Sequence, residues 1–187
     1  EKDGATYPTK EGLLAAIDKA RKADIKPYVD NVKNEPLIKK LPKAGRIVKE
    51  TENKVLGYKE LTLSNGIKVY LKKTDYKKDE VRLWGQCKGG SSLYGKADWA
   101  NLQMFNRVIG VCGLGDFSST ELDKALAGKV ANADLSLSET GVYVSGTSTP
   151  TDMETMLQMT YLYLTNINKD QDAFNSLMSS MAVGLKN

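Results

Sequence analysis

The stretch LTLSNGIKVYL, residues 61–71, predicts a β-hairpin and with it the β part of the fold. Apolar side chains alternate with polar ones on both sides of a central Asn-Gly pair, as they do in strands that bury one face. Asn-Gly is also the pair that most favours a two-residue type I′ turn. We therefore expect two antiparallel strands joined by a type I′ turn at Asn65 and Gly66.

The order of the surrounding elements predicts an α+β domain. Alternating apolar residues predict three more strands, at 81–87, 130–137 and 142–148. Helical spacing predicts five helices, at 9–23, 98–112, 118–127, 151–164 and 174–185. Thr9 is a suitable N-cap for the first helix, and the patterns Ser118-x-x-Glu121 and Thr151-x-x-Glu154 predict capping boxes. This order indicates helices packed on one face of a mostly antiparallel sheet.

The second predicted helix carries an apolar stripe that is expected to form one buried face. Its members are Trp99, Leu102, Phe105, Ile109 and Cys112. The glycines that follow, Gly113 and Gly115, are expected to end the helix. They do not form a dinucleotide-binding fingerprint, because that motif follows a strand and opens a helix.

Histidine is absent from the 187 residues. Because imidazole is the commonest general base and zinc ligand, its absence excludes Ser-His-Asp and Cys-His catalysis and nearly all catalytic zinc sites in this chain. Two cysteines, Cys87 and Cys112, lack a metal-binding spacing and lie in apolar segments. We expect buried free thiols, and a disulfide between them stays an open alternative.

Charge and hydropathy argue against two classes of partner. The net charge of +4 comes from residues 1–60, because residues 61–187 carry equal numbers of basic and acidic side chains. The sequence has no basic stripe with interleaved aromatic residues, so no nucleic-acid partner is expected. No apolar run approaches the ~18 residues of a membrane-spanning helix, so no membrane span is expected.

Paired acidic residues have structural explanations. Asp79 and Glu80 bound a predicted strand, while Asp170 and Asp172 lie in the opening turn of the last helix, where negative charge is favourable. An unrelated small α+β enzyme that uses acid or lysine chemistry is a remaining hypothesis. Turnover by the chain, lost on substitution of Asp98, would support it.

Four motifs resemble, in their order, the opening of a pitrilysin/insulinase-type zinc peptidase domain. They are LSNGIKV at 63–69, GGSS at 89–92, GKADWANL at 95–102 and GLGDFS at 113–118. In that family, Gly-x-Ala precedes His-x-x-Glu-His on a helix, where two imidazoles hold zinc and the Glu polarises its bound water. The resemblance covers about residues 57–187 and implies a mitochondrial-processing-peptidase-like metallohydrolase domain.

The ligand positions of that family carry other residues here. The first His falls on Asp98, the Glu on Asn101 and the second His on Leu102. These positions share a helix face, yet an amide is no general base and leucine is no ligand. The third ligand of the family is a Glu on a later helix, and no Glu follows Glu154. The resemblance thus implies a degenerate motif, with no catalytic or metal-binding residue in this chain.

The resemblance also implies a role beside an active half. Tandem members of the family typically pair an active N-terminal half with a degenerate C-terminal half. We expect residues 1–55 to form a helix and an extended arm punctuated by prolines, and residues 56–187 to form an inactive peptidase-like domain that is incomplete at its C-terminus. The substrate-binding residues are not assigned.

The expected function is that of the non-catalytic half of a zinc metalloendopeptidase. It would help to enclose and bind an extended peptide, while a homologous catalytic domain, in cis or in trans, holds the zinc. The alternative is a non-enzymatic scaffold or binding subunit that partners a separate active chain. The expected location is the periplasm or cell envelope of a bacterium.

Overall fold

The computed structural model describes residues 7–24 and 33–186, and the chain divides into two compact units, Glu1–Asn31 and Val32–Asn187. The described part of the first unit contains helix α1 (Lys10–Lys22). Thr9 caps this helix, because its Oγ1 accepts a hydrogen bond from the amide of Gly12 at 3.1 Å. The predicted first helix and its N-cap are therefore confirmed.

The second unit has α+β architecture. Its elements are β1 (Ile47–Asn53), β2 (Tyr58–Leu63), β3 (Lys68–Leu71), β4 (Val81–Lys88), α2 (Trp99–Ile109), β5 (Gly113–Leu114), α3 (Ser119–Ala125), β6 (Ala131–Leu137), β7 (Gly141–Ser148), α4 (Met153–Thr165), β8 (Ile167–Asn168) and α5 (Gln171–Gly184). All the paired strands are antiparallel, in three sheets ordered β1-β2-β3, β4-β7-β6 and β5-β8. The fold class is confirmed, with the strands divided among three sheets.

The predicted hairpin is present as β2 and β3, but its turn is not of type I′. A type I′ turn needs positive φ at both central residues. Gly66 has a φ of 87°, whereas no described residue other than glycine, Asn65 included, has a positive φ. The amide of Leu63 donates to the carbonyl of Ile67 at 2.8 Å, which leaves a three-residue loop, 64–66. The glycine ends this loop in the left-handed conformation that closes three-residue hairpins.

Helix α4 packs on one face of the β4-β7-β6 sheet. Alternation along β7 turns Val144, Gly146 and Ser148 to this face, and pairing places Leu135 of β6 beside Val144. Gly146 gives the helix room, because an added Cβ would lie 2.9 Å from the side chain of Met156 on α4. The prediction of helices on one face of an antiparallel sheet is therefore confirmed for α4 and this sheet.

The hydrophobic core lies where the GLGDFS motif meets α3 and α4. Its buried members are Leu114, Phe117, Leu122, Met159 and Leu162. Gly113 allows the motif to turn back on itself, because an added Cβ would overlap the carbonyl oxygen of Phe117. The prediction that Gly113 ends the preceding helix is therefore wrong; the C-cap of α2 is Gly110.

The two predicted capping boxes have different outcomes. The box at the start of α3 is confirmed, since the hydroxyl of Ser118 accepts from the amide of Glu121 and the carboxylate of Glu121 accepts from the amide of Ser118. The box at Thr151 and Glu154 is wrong. Helix α4 begins after Asp152, whose carboxylate instead accepts hydrogen bonds from the amide of Val130 and the hydroxyl of Thr149.

The part of the arm that the structure describes is attached to the core. Leu37 and Ile38 pack against the buried cluster. Lys33 Nζ lies 2.9 Å from a carboxylate oxygen of Glu121, and Lys39 Nζ lies 2.9 Å from a carboxylate oxygen of Asp116. The apolar side chains of this stretch therefore gain burial on the domain. Pro27 lies outside the described residues, and the boundary between residues 1–55 and 56–187 stays a prediction.

Candidate functional site

The three positions of the degenerate motif lie at the start of α2, but they do not form a common site. Asp98 is exposed, closes the 3₁₀ turn Lys96–Asp98 and occupies the N-cap position without a side-chain capping bond. Asn101 and Leu102 line two different grooves. The helical positions that could bring three ligands together therefore present one carboxylate, one amide and one aliphatic side chain.

The groove beside Leu102 is polar and has a volume of about 590 Å³. It lies between the Gly-Ser turn, the start of α2 and the turn that joins β6 to β7. Its lining includes Ser91, Tyr94, Trp99, Leu102, Asn106 and Glu139. Trp99 was expected in the buried face of α2, but its side chain is 65% exposed at this groove. The stripe is otherwise buried or partly buried, and Ile109 is its most buried member.

Asn106 attaches α2 to the end of the β4-β7-β6 sheet, here called the central sheet. Its amide nitrogen donates to the carbonyl of Leu137 at 2.9 Å, and its amide oxygen accepts from the amide of the same residue at 2.7 Å. A side-chain amide thus satisfies both outward backbone groups of an edge-strand residue, as a neighbouring strand would. The motif helix is therefore held by specific contacts although it lacks ligands.

The groove beside Asn101 is mainly apolar and has a volume of about 530 Å³. It lies between α2, β8 and α5, and its lining includes Met104, Phe105, Ile109, Phe174 and Met178. The last helix is therefore less covered than its sequence predicts. None of the residues of α5 is buried, and Leu185 lies beyond its end, exposed.

The donor set at the motif does not fit zinc. Asp98 offers one carboxylate, Asn101 an amide beside apolar side chains, and Leu102 no donor atom. Catalytic zinc is held by three protein ligands drawn from His, Cys, Asp and Glu. Across residues 7–24 and 33–186, no three such side chains come together in a way that could hold a metal ion. These three side chains therefore do not make up a zinc ligand set.

The two cysteines are free in the described structure. Cys112 lines the apolar groove, and partial burial raises the pKa of its thiol. Cys87 lies on β4 and is exposed, so the prediction of a buried thiol is wrong for this residue.

The strongest pKa shift among the acidic groups serves the fold. The backbone amide of Ser118, and after it the ammonium group of Lys33, hold the pKa of Glu121 at about 2. The contact with Ser118 is part of the capping box, and the contact with Lys33 attaches the arm to the domain. The charged form of Glu121 therefore stabilises the fold.

A feature that the sequence analysis missed lies on the opposite face of the central sheet. Trp84 of β4 is 68% exposed and packs beside Tyr143 of β7, with ring centroids 5.9 Å apart. The sequence held a signal for it: alternation from Val81 to Cys87 places Trp84 on the polar side of the strand. A large aromatic side chain on a solvent-facing sheet surface is typical of binding surfaces.

Comparisons with known proteins identify relatives, although no family model matches the chain. A protein of Arabidopsis thaliana described as "Zinc protease PQQL-like" is 25% identical over 179 residues, which are 95% of this chain and 16% of that protein. The chain therefore spans about one sixth of the length of this relative.

None of the described helices is long and apolar enough to cross a membrane.

Two solved structures share the fold. The periplasmic protease PqqL of Escherichia coli matches with a TM-score of 0.71 and 19% identity, over 95% of this chain and 20% of that one. The ferredoxin protease FusC, solved in complex with Arabidopsis ferredoxin, matches with a TM-score of 0.70 and 16% identity, again over 95% and 20%. The chain thus shares the fold of these two proteases and is similar in sequence to the zinc-protease-like protein, which agrees with the resemblance to pitrilysin/insulinase-type zinc peptidases that its motifs carry.

Proposed function

We propose that this chain is a non-catalytic domain of a zinc metalloendopeptidase. It helps to enclose and bind an extended peptide substrate, while a homologous active half carries the zinc. The observation that carries the proposal is a motif helix that is packed and fastened in place, yet presents Asp98, Asn101 and Leu102 where the family has its ligands and base.

The way α2 is held supports a structural rather than a chemical role for it. Ile109 is buried, and Asn106 forms two hydrogen bonds with the edge of the central sheet. These contacts stabilise the helix without any metal. A domain that keeps this helix but not its ligands can still provide a wall of a substrate chamber.

The relatives support a polypeptide ligand and a partner domain. Each is several times longer than this chain, so a homologous catalytic half in cis is the first candidate for the partner. The FusC structure contains a protein, ferredoxin, bound to a protease of this fold. By analogy with periplasmic PqqL, we place the protein in the periplasm or envelope of a bacterium, although a plant relative exists.

A second candidate function is a scaffold or binding subunit that partners a separate active chain. The same degenerate positions favour it equally. The coding sequence upstream of Glu1 distinguishes the two, because an intact His-x-x-Glu-His there supports a catalytic half in cis. Its absence supports a partner in trans.

Equilibrium dialysis against zinc tests the central claim. The chain is expected to bind less than one zinc ion per molecule at micromolar zinc, and to cleave no peptide when zinc is supplied. A variant with Asp98→His and Leu102→His, which places two imidazoles one helical turn apart, is the positive control and is expected to bind zinc more tightly. One tightly bound zinc ion per unmodified chain would overturn the proposal.

A further inference from the structure

The face of the β4-β7-β6 sheet opposite α4 carries three cross-strand rows of side chains. Strand pairing places Trp84, Ser145 and Asp134 in one row, with Arg82, Thr147 and Asn132 on one side of it and Gln86, Tyr143 and Ser136 on the other. In the middle row, a small serine separates a large aromatic ring from a carboxylate. Because the serine side chain is shorter than its two neighbours, the surface dips at the centre of the row.

This low centre is part of a hollow of about 470 Å³ on the sheet surface. Trp84 and Asp134 line it from opposite sides, and Ser145 and Thr147 lie between them. Small side chains on the middle strand leave this space open. The hollow runs along the sheet and can accept a side chain that lies flat on β7.

The aromatic side of the hollow is held in position. Trp84 packs beside Tyr143 at a ring-centroid distance of 5.9 Å, and the amide of Gln86 donates to the hydroxyl of Tyr143 at 3.1 Å. Contacts of this kind limit the rotamers of an exposed ring. A restricted ring loses less conformational entropy when it binds a ligand.

The opposite side of the hollow carries an uncompensated negative charge. Asp134 is exposed, one of its oxygens accepts the amide of Leu135 at 2.9 Å, and no described residue forms an ion pair with it. Arg82 also lines the hollow, but its Nε lies 2.8 Å from a carboxylate oxygen of Glu80. The charge of Arg82 is thus paired with Glu80 through one N–H group, whereas no described basic residue pairs with the Asp134 carboxylate, which is available to a ligand cation.

The spacing of the row suits a cation between ring and carboxylate. Neighbouring strands lie about 4.8 Å apart, so the backbones that carry Trp84 and Asp134 are about 9.6 Å apart. A cation binds an aromatic face within about 6 Å of the ring centroid and pairs with a carboxylate within about 4 Å. With both side chains standing roughly perpendicular to the sheet, the sum of these two upper limits is close to the backbone spacing.

We propose that this hollow binds the side chain of a lysine or arginine in an extended polypeptide. The Trp84 ring contacts the cation from one side and the Asp134 carboxylate pairs with it from the other, above Ser145. That the ligand is a polypeptide rests on the proposed function; that it is cationic rests on the row itself.

Fluorescence anisotropy with two matched peptides tests the inference. One is a fluorescein-labelled Gly-Ser octapeptide with a single central arginine, and the other has citrulline, which keeps the shape without the charge. The arginine peptide is expected to bind about three- to thirty-fold more tightly, the range for one exposed cation–π contact and one exposed ion pair. The preference is expected to fall as salt rises.

Two variants and two controls locate the effect. Asp134→Asn and Trp84→Ala are each expected to bring the ratio of the two affinities close to one. Glu139→Gln removes another exposed carboxylate, and Trp99→Ala removes the other exposed tryptophan, which is 65% exposed; both are expected to leave the ratio unchanged. All four positions are exposed, so circular dichroism is expected to be unaltered.

The outcomes separate this inference from the proposed function. Equal binding of the arginine and citrulline peptides, or a preference that survives both hollow variants, overturns the cation site and leaves peptide binding in place. Absence of binding by either peptide contradicts the peptide-binding role as well.

Discussion

The two three-stranded sheets of this chain have the same pairing pattern but different surroundings. In the β4-β7-β6 sheet, one face packs under α4, and Leu135 is only 6% exposed. In the β1-β2-β3 sheet no residue is buried, and Leu71, which lies on the same face as Leu61 and Val69, is 50% exposed. Alternation therefore predicts which side chains share a face, and a covering element decides whether that face stabilises the domain.

The largest effect expected from this difference is on unfolding. Leu135→Ala should lower the free energy of unfolding by about 2–5 kcal/mol, because it leaves a cavity under α4. Leu71→Ala, the matched change on the open sheet, should cost less than about 1 kcal/mol. Urea denaturation measures both, and similar losses would mean that the open sheet is covered in solution.

A smaller effect is expected at the cap of α3, the helix that contributes Leu122 to the covered region. Ser118→Ala should cost about 1 kcal/mol, because it removes a hydroxyl that accepts an N-terminal amide. Thr151→Ala, at the predicted box that does not form, should change stability by less than about 0.5 kcal/mol. The same denaturation curves report both, and the reverse order would contradict the observed caps.

The smallest expected effect is a change in stability that appears only at acidic pH. It again concerns the covered region, at Glu121 of α3. The pKa of Glu121 is about 2 in the folded chain, against 4.5 as its ordinary value. Because the folded pKa is the lower one, the stabilisation is fully present above pH 4.5 and is lost as the pH falls towards 2.

Melting temperature as a function of pH measures this contribution. Glu121→Gln should make the decline between pH 4.5 and 2 shallower, while Asp172→Asn, which removes an exposed carboxylate in the first turn of α5, should leave it unchanged. An unaltered decline in the Glu121 variant would show that its contacts with Ser118 and Lys33 do not persist in solution.

Local chemistry explains what the sequence predicts well. The hairpin around Asn65 and Gly66, the N-cap at Thr9 and the box at Ser118 depend on residues within a few positions of each other. The type of the hairpin turn, the Thr151 box and the burial of Trp99 were wrong. Tertiary contacts explain the first two, since Ser64 bonds to Arg46 and Asp152 to the amide of Val130. Trp99 instead lies at an open groove and stays 65% exposed. Gly113 is a further case, since its role depends on the return of the chain at Phe117.

The candidate site divides in the same way. Motif spacing placed Asp98, Asn101 and Leu102 at the start of one helix, which is where they lie. Spacing alone could not show that Asn101 and Leu102 line different grooves. Nor could it reveal the row of Trp84 and Asp134, because pairing of β4 and β6 with the same central strand brings together residues 50 positions apart.

The amide of Asn106 has a consequence for solubility. Strand β6 is an edge of the central sheet, and an edge with free amide and carbonyl groups offers a template on which another chain can add a strand. Asn106 binds both the amide and the carbonyl of Leu137, so these two groups are not available to an added strand. The side chain on α2 thus removes one pairing position from this edge, which disfavours edge-to-edge aggregation there.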